Sequence, residues 1–348
     1  MAENSPTPAP LHYRSIKAIL AHMSVEKREK MQREIPSLRS LNATVPYTFD
    51  LVHLTSKGLR QTNKKLWDVE PQVVSQVIRW DTHHGRRRKH VTSTYDDGEE
   101  EYARLALKYI QDGTRIRQLQ FEGFPRCLAE KNPDTFKIHV SELVLDRYAM
   151  RMATEQFRTL VSFLDDSVPL KRVEMPISAE CLPMLGLPLI NSCTELSLCR
   201  LVDYGRNHIL FEDLLRHSDM NHTHLDVTFA FFFEGHTRGI DFAKDLAQHW
   251  INIKKFIGST FTVPCLEYSF ISDVFDELKS RFNARKATIK ELGSDFFAHC
   301  VIIPLTEASE IVAYGIRYTK KYDGSSFDFA LKMEVRRVGS TDAPKFFD

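Results

Sequence analysis

The chain has 348 residues, 43% of them hydrophobic, enough for a sizeable core and for two domains or one domain with an elongated array. Its 47 Lys and Arg stand against 46 Asp and Glu, which leaves no overall electrostatic case for nucleic acid or an anionic membrane as partner. Six cysteines without a Cys-x-x-Cys pair speak against a disulfide framework and a zinc ribbon, and every apolar run falls short of the ~20 residues that a membrane span needs.

Residues 1–10, rich in Pro and Ala, read as a disordered leader without the apolar segment of a secretory signal, which points to a cytoplasmic or nuclear protein. A helical head is expected over 11–45. Leu11, Ile16, Ile19, Leu20 and Met23 recur at helical spacing. Ser24 is placed to cap a charged second helix that runs to Glu34 and stops at Ile35, because proline at 36 disfavours a helical residue before it. Residues 46–51 read as a first strand. Between 80 and 101 a basic run of Arg86, Arg87, Arg88 and Lys89 precedes an acidic run at Asp96, Asp97, Glu99, Glu100 and Glu101. With Gly85 and Gly98 beside them, the expected form is an exposed charged loop, and the basic run is a candidate import or phosphate-binding patch.

Over 46–235 one pattern repeats. Two apolar residues flank a variable one in Leu119-Gln120-Phe121, Leu143-Val144-Leu145, Val173-Glu174-Met175, Leu196-Ser197-Leu198 and Leu225-Asp226-Val227. Their starts are 24, 30, 23 and 29 residues apart, with helix-compatible stretches such as 154–164 and 211–217 between them. A strand and a helix at such a period is the pattern of leucine-rich repeats, here without the asparagine and the full leucine consensus. Ordinary βα units of uneven length would read the same way.

Residues 236–348 form a terminal α+β block, with helices at 241–253 and 269–282 and strands at 259–263, 299–304 and 310–318. Phe327, Phe329, Leu331, Met333 and Val335 alternate with Asp328, Ala330, Lys332, Glu334 and Arg336, the period of a half-buried antiparallel strand reached through a Tyr322-Asp323-Gly324 turn. The expected fold class is therefore α/β to α+β: a short helical head, an irregular leucine-rich-repeat-like βα array, and a C-terminal block with antiparallel strands.

Chemistry is sparse. The sequence contains no phosphate loop, dinucleotide fingerprint, nucleophile elbow or His-Glu-x-x-His helix. His217, His222 and His224, with Asp219 and Asp226, come nearest to a metal set, since His222 and His224 on a strand would share a face. The loop character of 221–223 and the lack of further matched ligands count against it. Asp165 and Asp166 read as a solvated turn, and Phe229, Phe231, Phe232 and Phe233 as core or an interface patch. No catalytic residue, metal or cofactor is expected, and binding of another protein is the favoured activity.

Several segments carry a family resemblance. Residues 10–23 (Pro10-Leu11-His12-Tyr13 through Ile19-Leu20), residues 34–41 with Pro36-Ser37-Leu38, Leu246 to Trp250 with Ile257-Gly258-Ser259-Thr260-Phe261, and Ile302-Ile303-Pro304 with Ser309-Glu310-Ile311 resemble a nematode-specific domain family related to F-box proteins, the "F-box C" type. The resemblance implies a head that docks a Skp-type adaptor of a cullin ubiquitin ligase and a repeat body that selects an unknown substrate. It carries over Leu11, Ile16, Ile19 and Leu20 as docking candidates, although the F-box core is only partly present, with Pro10-Leu11 inverted. Two alternatives remain: a binding scaffold without adaptor docking, and an enzyme whose site shows no motif.

Overall fold

The computed structural model describes residues 13–55, 58–60, 75–82, 85–92, 107–121, 124, 126–145, 154–176, 181–201, 211–229, 235–288, 299–318, 321–322 and 325–340. The chain is a mixed α/β protein made of two compact units, residues 1–144 with 159–168, and residues 145–158 with 169–348.

In the first unit, α1 (Tyr13–His22) and α2 (Val25–Glu34) form the expected head, and the Ser24 side chain caps α2 by accepting the Lys27 N–H at 3.4 Å. A short α3 (Arg39–Ala43) leads into β1 (Thr48–Thr55). Leu20 packs with Leu41 and Val45, and Ile16, Met23 and Leu38 close the edge of that cluster. Arg28 on α2, only 1% exposed, fastens the same turn. Its guanidinium donates to Asn42 Oδ1 (2.7 Å) and to the carbonyls of Asn42 (3.0 Å), Val45 (2.6 Å) and Pro46 (3.0 Å), and lies 3.7 Å over the Tyr47 ring. Burial lowers its pKa, and nearby Tyr47 and Glu29 pull the other way.

β1 pairs antiparallel with β2 (Gly58–Arg60). The next two strands, β3 (Ser75–Thr82) and β4 (Gly85–Thr92), form a separate two-stranded antiparallel sheet. Arg86, Arg87, Arg88 and Lys89 therefore belong to a strand, which corrects the loop expected over 80–101. Pairing satisfies the backbone whatever the side chains are, so a run of charge does not bar a ribbon strand. Residues 1–12, 83–84 and 93–101 lie outside the described residues.

β5 (Thr114–Phe121) pairs parallel with β1 and neighbours β6 (Ile138–Leu145). Both strands shift their buried positions by one residue midway: Thr114 and Ile116 give way to Leu119 and Phe121, and Ile138 and Val140 to Leu143 and Leu145. Because side chains alternate along a strand, each strand buries one side in its first half and the other in its second. Gly113 makes the tight approach before β5. It has φ +75, donates its N–H to the Lys137 carbonyl at 2.8 Å, and would bring a Cβ to 3.2 Å from Pro46.

After α4 (Thr154–Ser162), the second unit contains β7 (Arg172–Pro176), β8 (Glu195–Leu201), α5 (Phe211–Leu215), β9 (His224–Phe229), α6 (Gly235–Ile253), β10 (Thr260–Cys265), α7 (Tyr268–Phe282), β11 (Arg285–Thr288), β12 (His299–Pro304), β13 (Ser309–Arg317), the hairpin β14 (Lys321–Tyr322) and β15 (Ser325–Ser326), and β16 (Phe329–Arg337). Its sheet runs β7-β8-β9-β10-β16-β13-β12-β11. The first four strands are parallel, and from β16 onward the pairing is antiparallel. The junction expected at 236 falls within this unit, where β10 bonds to β9 on one side and to β16 on the other.

One face of this sheet is greasy and covered. Leu196, Leu198, Leu225, Val227, Phe261, Val263, Leu331 and Met333 are all buried. Phe242 of α6 stacks on Phe261 with centroids 5.7 Å apart, and α7 packs over β12, β13 and β16 through an apolar side that includes Phe270, Ile271 and Val274. α7 ends at Asn283, whose φ of 48 provides the left-handed cap that closes a helix.

Candidate functional site

The opposite face of β7–β10 and β16 is polar, and strand register explains why. Side chains alternate along each strand, so one buried row fixes its polar neighbours on the other side. The pairings Arg172↔Glu195, Glu195↔His224, His224↔Thr260 and Thr260↔Glu334 place one cross-strand row. Two residues on, Glu174, Ser197, Asp226, Thr262 and Lys332 form a second row in the same way. Between the rows lies a depression of about 230 Å³, lined by Arg172, Glu195, Ser197, His224, Asp226, Thr260, Thr262 and Lys332, with Leu196 beneath.

Internal bonds hold much of this face in place. His224 Nδ1 is hydrogen-bonded to Thr260 Oγ1 at 2.9 Å. Arg172 donates to Glu174 at 2.8 Å and lies 3.9 Å from Glu195. Beyond Lys332, the Tyr314 hydroxyl donates to Glu334 at 2.8 Å and Arg336 donates to the same carboxylate at 3.1 Å. Burial works against the charge on Glu334, but Tyr314, Arg336 and Lys332 outweigh it and hold the carboxyl below its ordinary range. Burial pushes the Tyr314 hydroxyl up, and the Glu334 carboxylate adds to that shift. Cys199, 3.5 Å from Glu174, is pushed up to about 12, chiefly by burial, so it is a thiol and not a thiolate nucleophile at neutral pH.

The residues singled out from sequence are scattered. Leu20 is a core residue and Ile16 packs against its cluster, while Ile19 is 44% exposed. Helical spacing turns 16, 20 and 23 toward Leu41 and leaves 19 outside, and Leu11 lies outside the described residues. The two histidines also part company. His224 opens β9 on the polar face, whereas His222, before the strand, is buried and donates from Nδ1 to the Cys193 carbonyl at 3.2 Å. Among the described residues no group of three or more His, Cys, Asp or Glu is placed to hold a metal. Asp165 accepts the Ser167 N–H at 2.9 Å and pairs with His139 at 2.8 Å, as suits a turn carboxylate. The side chains of Phe229, Phe231, Phe232 and Phe233, and those of Arg86 to Lys89, lie outside the described ones.

The polar rows were half legible. Glu174, Ser197 and Asp226 are the variable residues of three repeated triplets, but their alignment with Thr262 and Lys332 requires the register across β10 and β16.

Residues 97–265 match a domain family of unknown function, DUF3557. The matched stretch contains every lining residue of the depression except Lys332, which comes from β16. No curated protein and no solved structure matches the chain. No helix among the described residues is long and apolar enough to cross a membrane.

Proposed function

We propose that this chain is a non-enzymatic protein-interaction module that works in the cytoplasm or nucleus, with the polar sheet face from Arg172 to Lys332 as its recognition surface. The observation that carries this reading is the pair of cross-strand rows: ten polar positions on five strands, backed by a helix-covered core that keeps them in fixed relation. Charges on the face nearly balance, with Arg172, Lys332 and Arg336 against Glu174, Glu195, Asp226 and Glu334. That favours a protein partner over the phosphate backbone of a nucleic acid. In the finer form, the strands act as a degenerate leucine-rich-repeat-like array and the head docks a Skp-type adaptor, making the chain a substrate-recognition subunit of a cullin ubiquitin ligase. Ile19, exposed on α1, supports docking, whereas the burial of Leu20 and the Arg28 clamp support a scaffold whose head is structural.

The test has two arms. Partners recovered from extract with the full chain are compared with those of an Asp226→Arg, Thr262→Arg variant. Loss of a reproducible set with the fold intact supports the face, and retention of the whole set overturns it. Purified Skp-type adaptor is then titrated against the parent and Ile19→Asp. Binding that weakens at least tenfold in the variant supports the ligase reading, and no binding by the parent leaves the scaffold. The enzyme alternative would centre on the His224–Thr260 pair, and a turnover abolished by His224→Gln would be its signature.

A further inference from the structure

At the lead-in to β9, on the end of the sheet that receives the C-terminus of α6, basic groups collect where carboxylates are few. Lys255, just past α6, is 2% exposed, and its ammonium donates to a neutral acceptor, Asn221 Oδ1, at 2.9 Å, with the Phe256 ring 5.2 Å away. His222 is 3% exposed, and its Nε2 is buried without a hydrogen-bond partner. His249 on α6 donates from Nε2 to the Asp219 carbonyl at 3.1 Å and sets its ring edge-on to Phe211. The titratable groups facing one another here are Cys193 before β8, Asp219 and His222 before β9, His249 on α6, and Lys255 after it. A buried ammonium with an amide for a partner costs free energy, and each further proton brought to either imidazole adds to that cost.

We propose that this cluster is an acid-sensitive device: at neutral pH it holds residues 217–223 closed, and protonation of His222 and His249 beside a charged Lys255 releases them and the start of β9 with them. Because His222 Nδ1–H is committed to the Cys193 carbonyl, the incoming proton must go to Nε2, where it becomes a buried donor with nothing to bond. The released strand is the one that carries His224 and Asp226 into the polar face. Acidification therefore reaches that face through the fold, whatever the face binds.

Burial holds both imidazoles below their ordinary range, and Lys255 adds to that, while the backbone carbonyls they contact and Asp219 oppose it. Lys255 itself is brought down from 10.5 to about 8 by burial, against a weaker pull from Asp219. All three groups thus have folded values below their unfolded ones. The unfolded chain binds protons first, and stability falls as pH falls. The lysine step lies between 10.5 and about 8, with its tail reaching neutral pH, and the histidine step lies below 6.5.

The experiment measures the unfolding constant of the full chain by urea titration at pH 9, 7 and 5.5, with hydrogen exchange at 217–223 as the local readout at pH 7 and 5.5. For the parent, Lys255 alone should raise the unfolding constant about tenfold from pH 9 to 7. A further rise should follow at pH 5.5, with exchange at 217–223 accelerating beyond its intrinsic pH trend. Lys255→Met should erase the first step, and His222→Gln, which retains a donor for the Cys193 carbonyl, should shrink the second. The half-exposed His249→Gln provides a milder variant, which gives up only an edge contact with Phe211, and it too should shrink the second step. Parent-like pH slopes in Lys255→Met, or parent-like exchange at pH 5.5 in both histidine variants, would overturn the proposal.

Discussion

Replacing Arg28 tests whether the helical head is built into the first unit. The guanidinium makes four hydrogen bonds, three of them to backbone carbonyls within residues 42–46. Arg28→Ala would leave the buried Asn42 and Val45 acceptors without their donor, while the part-buried Pro46 carbonyl can turn to water. Unsatisfied buried acceptors cost about 1–3 kcal/mol each before relaxation. The lost stacking on Tyr47 adds about 1 kcal/mol. Allowing for water entry, a net loss of about 3–5 kcal/mol is expected, in line with breaking a buried charged network. Arg28→Lys keeps the charge but presents a point donor to a site shaped for a planar fork, so about 2 kcal/mol should still be lost. Because two compact units need not unfold together, the assay should be local, namely amide exchange across α2 and the start of β1, alongside global denaturation. Protection in α2 that changes by less than about 1 kcal/mol in Arg28→Ala would refute the clamp.

Three further outcomes can be checked by denaturation. Gly186→Ala would place a Cβ 2.8 Å from the His217 carbonyl oxygen, a backbone atom, and should cost about 1–3 kcal/mol by overpacking. Ser24→Ala should cost only about 0.5 kcal/mol, since the cap bond is long and exposed. Tyr314→Phe removes the hydroxyl donor from Glu334 and should cost about 1–2 kcal/mol at neutral pH. Glu334 has a lowered folded pKa, so its contribution is present above its unfolded value of 4.5 and is lost as pH falls through the folded one. An acid-denaturation profile of Tyr314→Phe that overlays the parent's would rule out that role.

Local signals read well and long-range ones did not. The Ser24 cap, the stop at Ile35 and the alternation from Phe327 to Val335 each rest on neighbours in the chain, and each appears where expected. The triplets around Glu174, Ser197 and Asp226 appear as β7, β8 and β9, consecutive parallel neighbours. Composition misled at Arg86 to Lys89, because charge density suggests solvent exposure but does not forbid strand pairing. The pairing of β10 was out of reach for a different reason: it finds its partners at 224–226 and 329–334, and nothing in a window of twenty residues encodes that choice. Lys255 gave no warning either. A lysine after a helix is ordinarily a solvated end, and only the packing of Asn221 and Phe256 around it makes it a buried one.

The position of β10 also has a consequence for synthesis. Its parallel neighbour β9 precedes it, but its antiparallel neighbour β16 lies some seventy residues downstream. At ~5–20 residues per second, a ribosome needs about 4–14 s to deliver that strand. Through that interval the nascent chain carries an unpaired edge whose side chains include Phe261 and Val263. A pause between 265 and 329, or a chain released there, would expose an adhesive strand, so the yield of folded protein should depend on chaperones that cover β10 until β16 arrives.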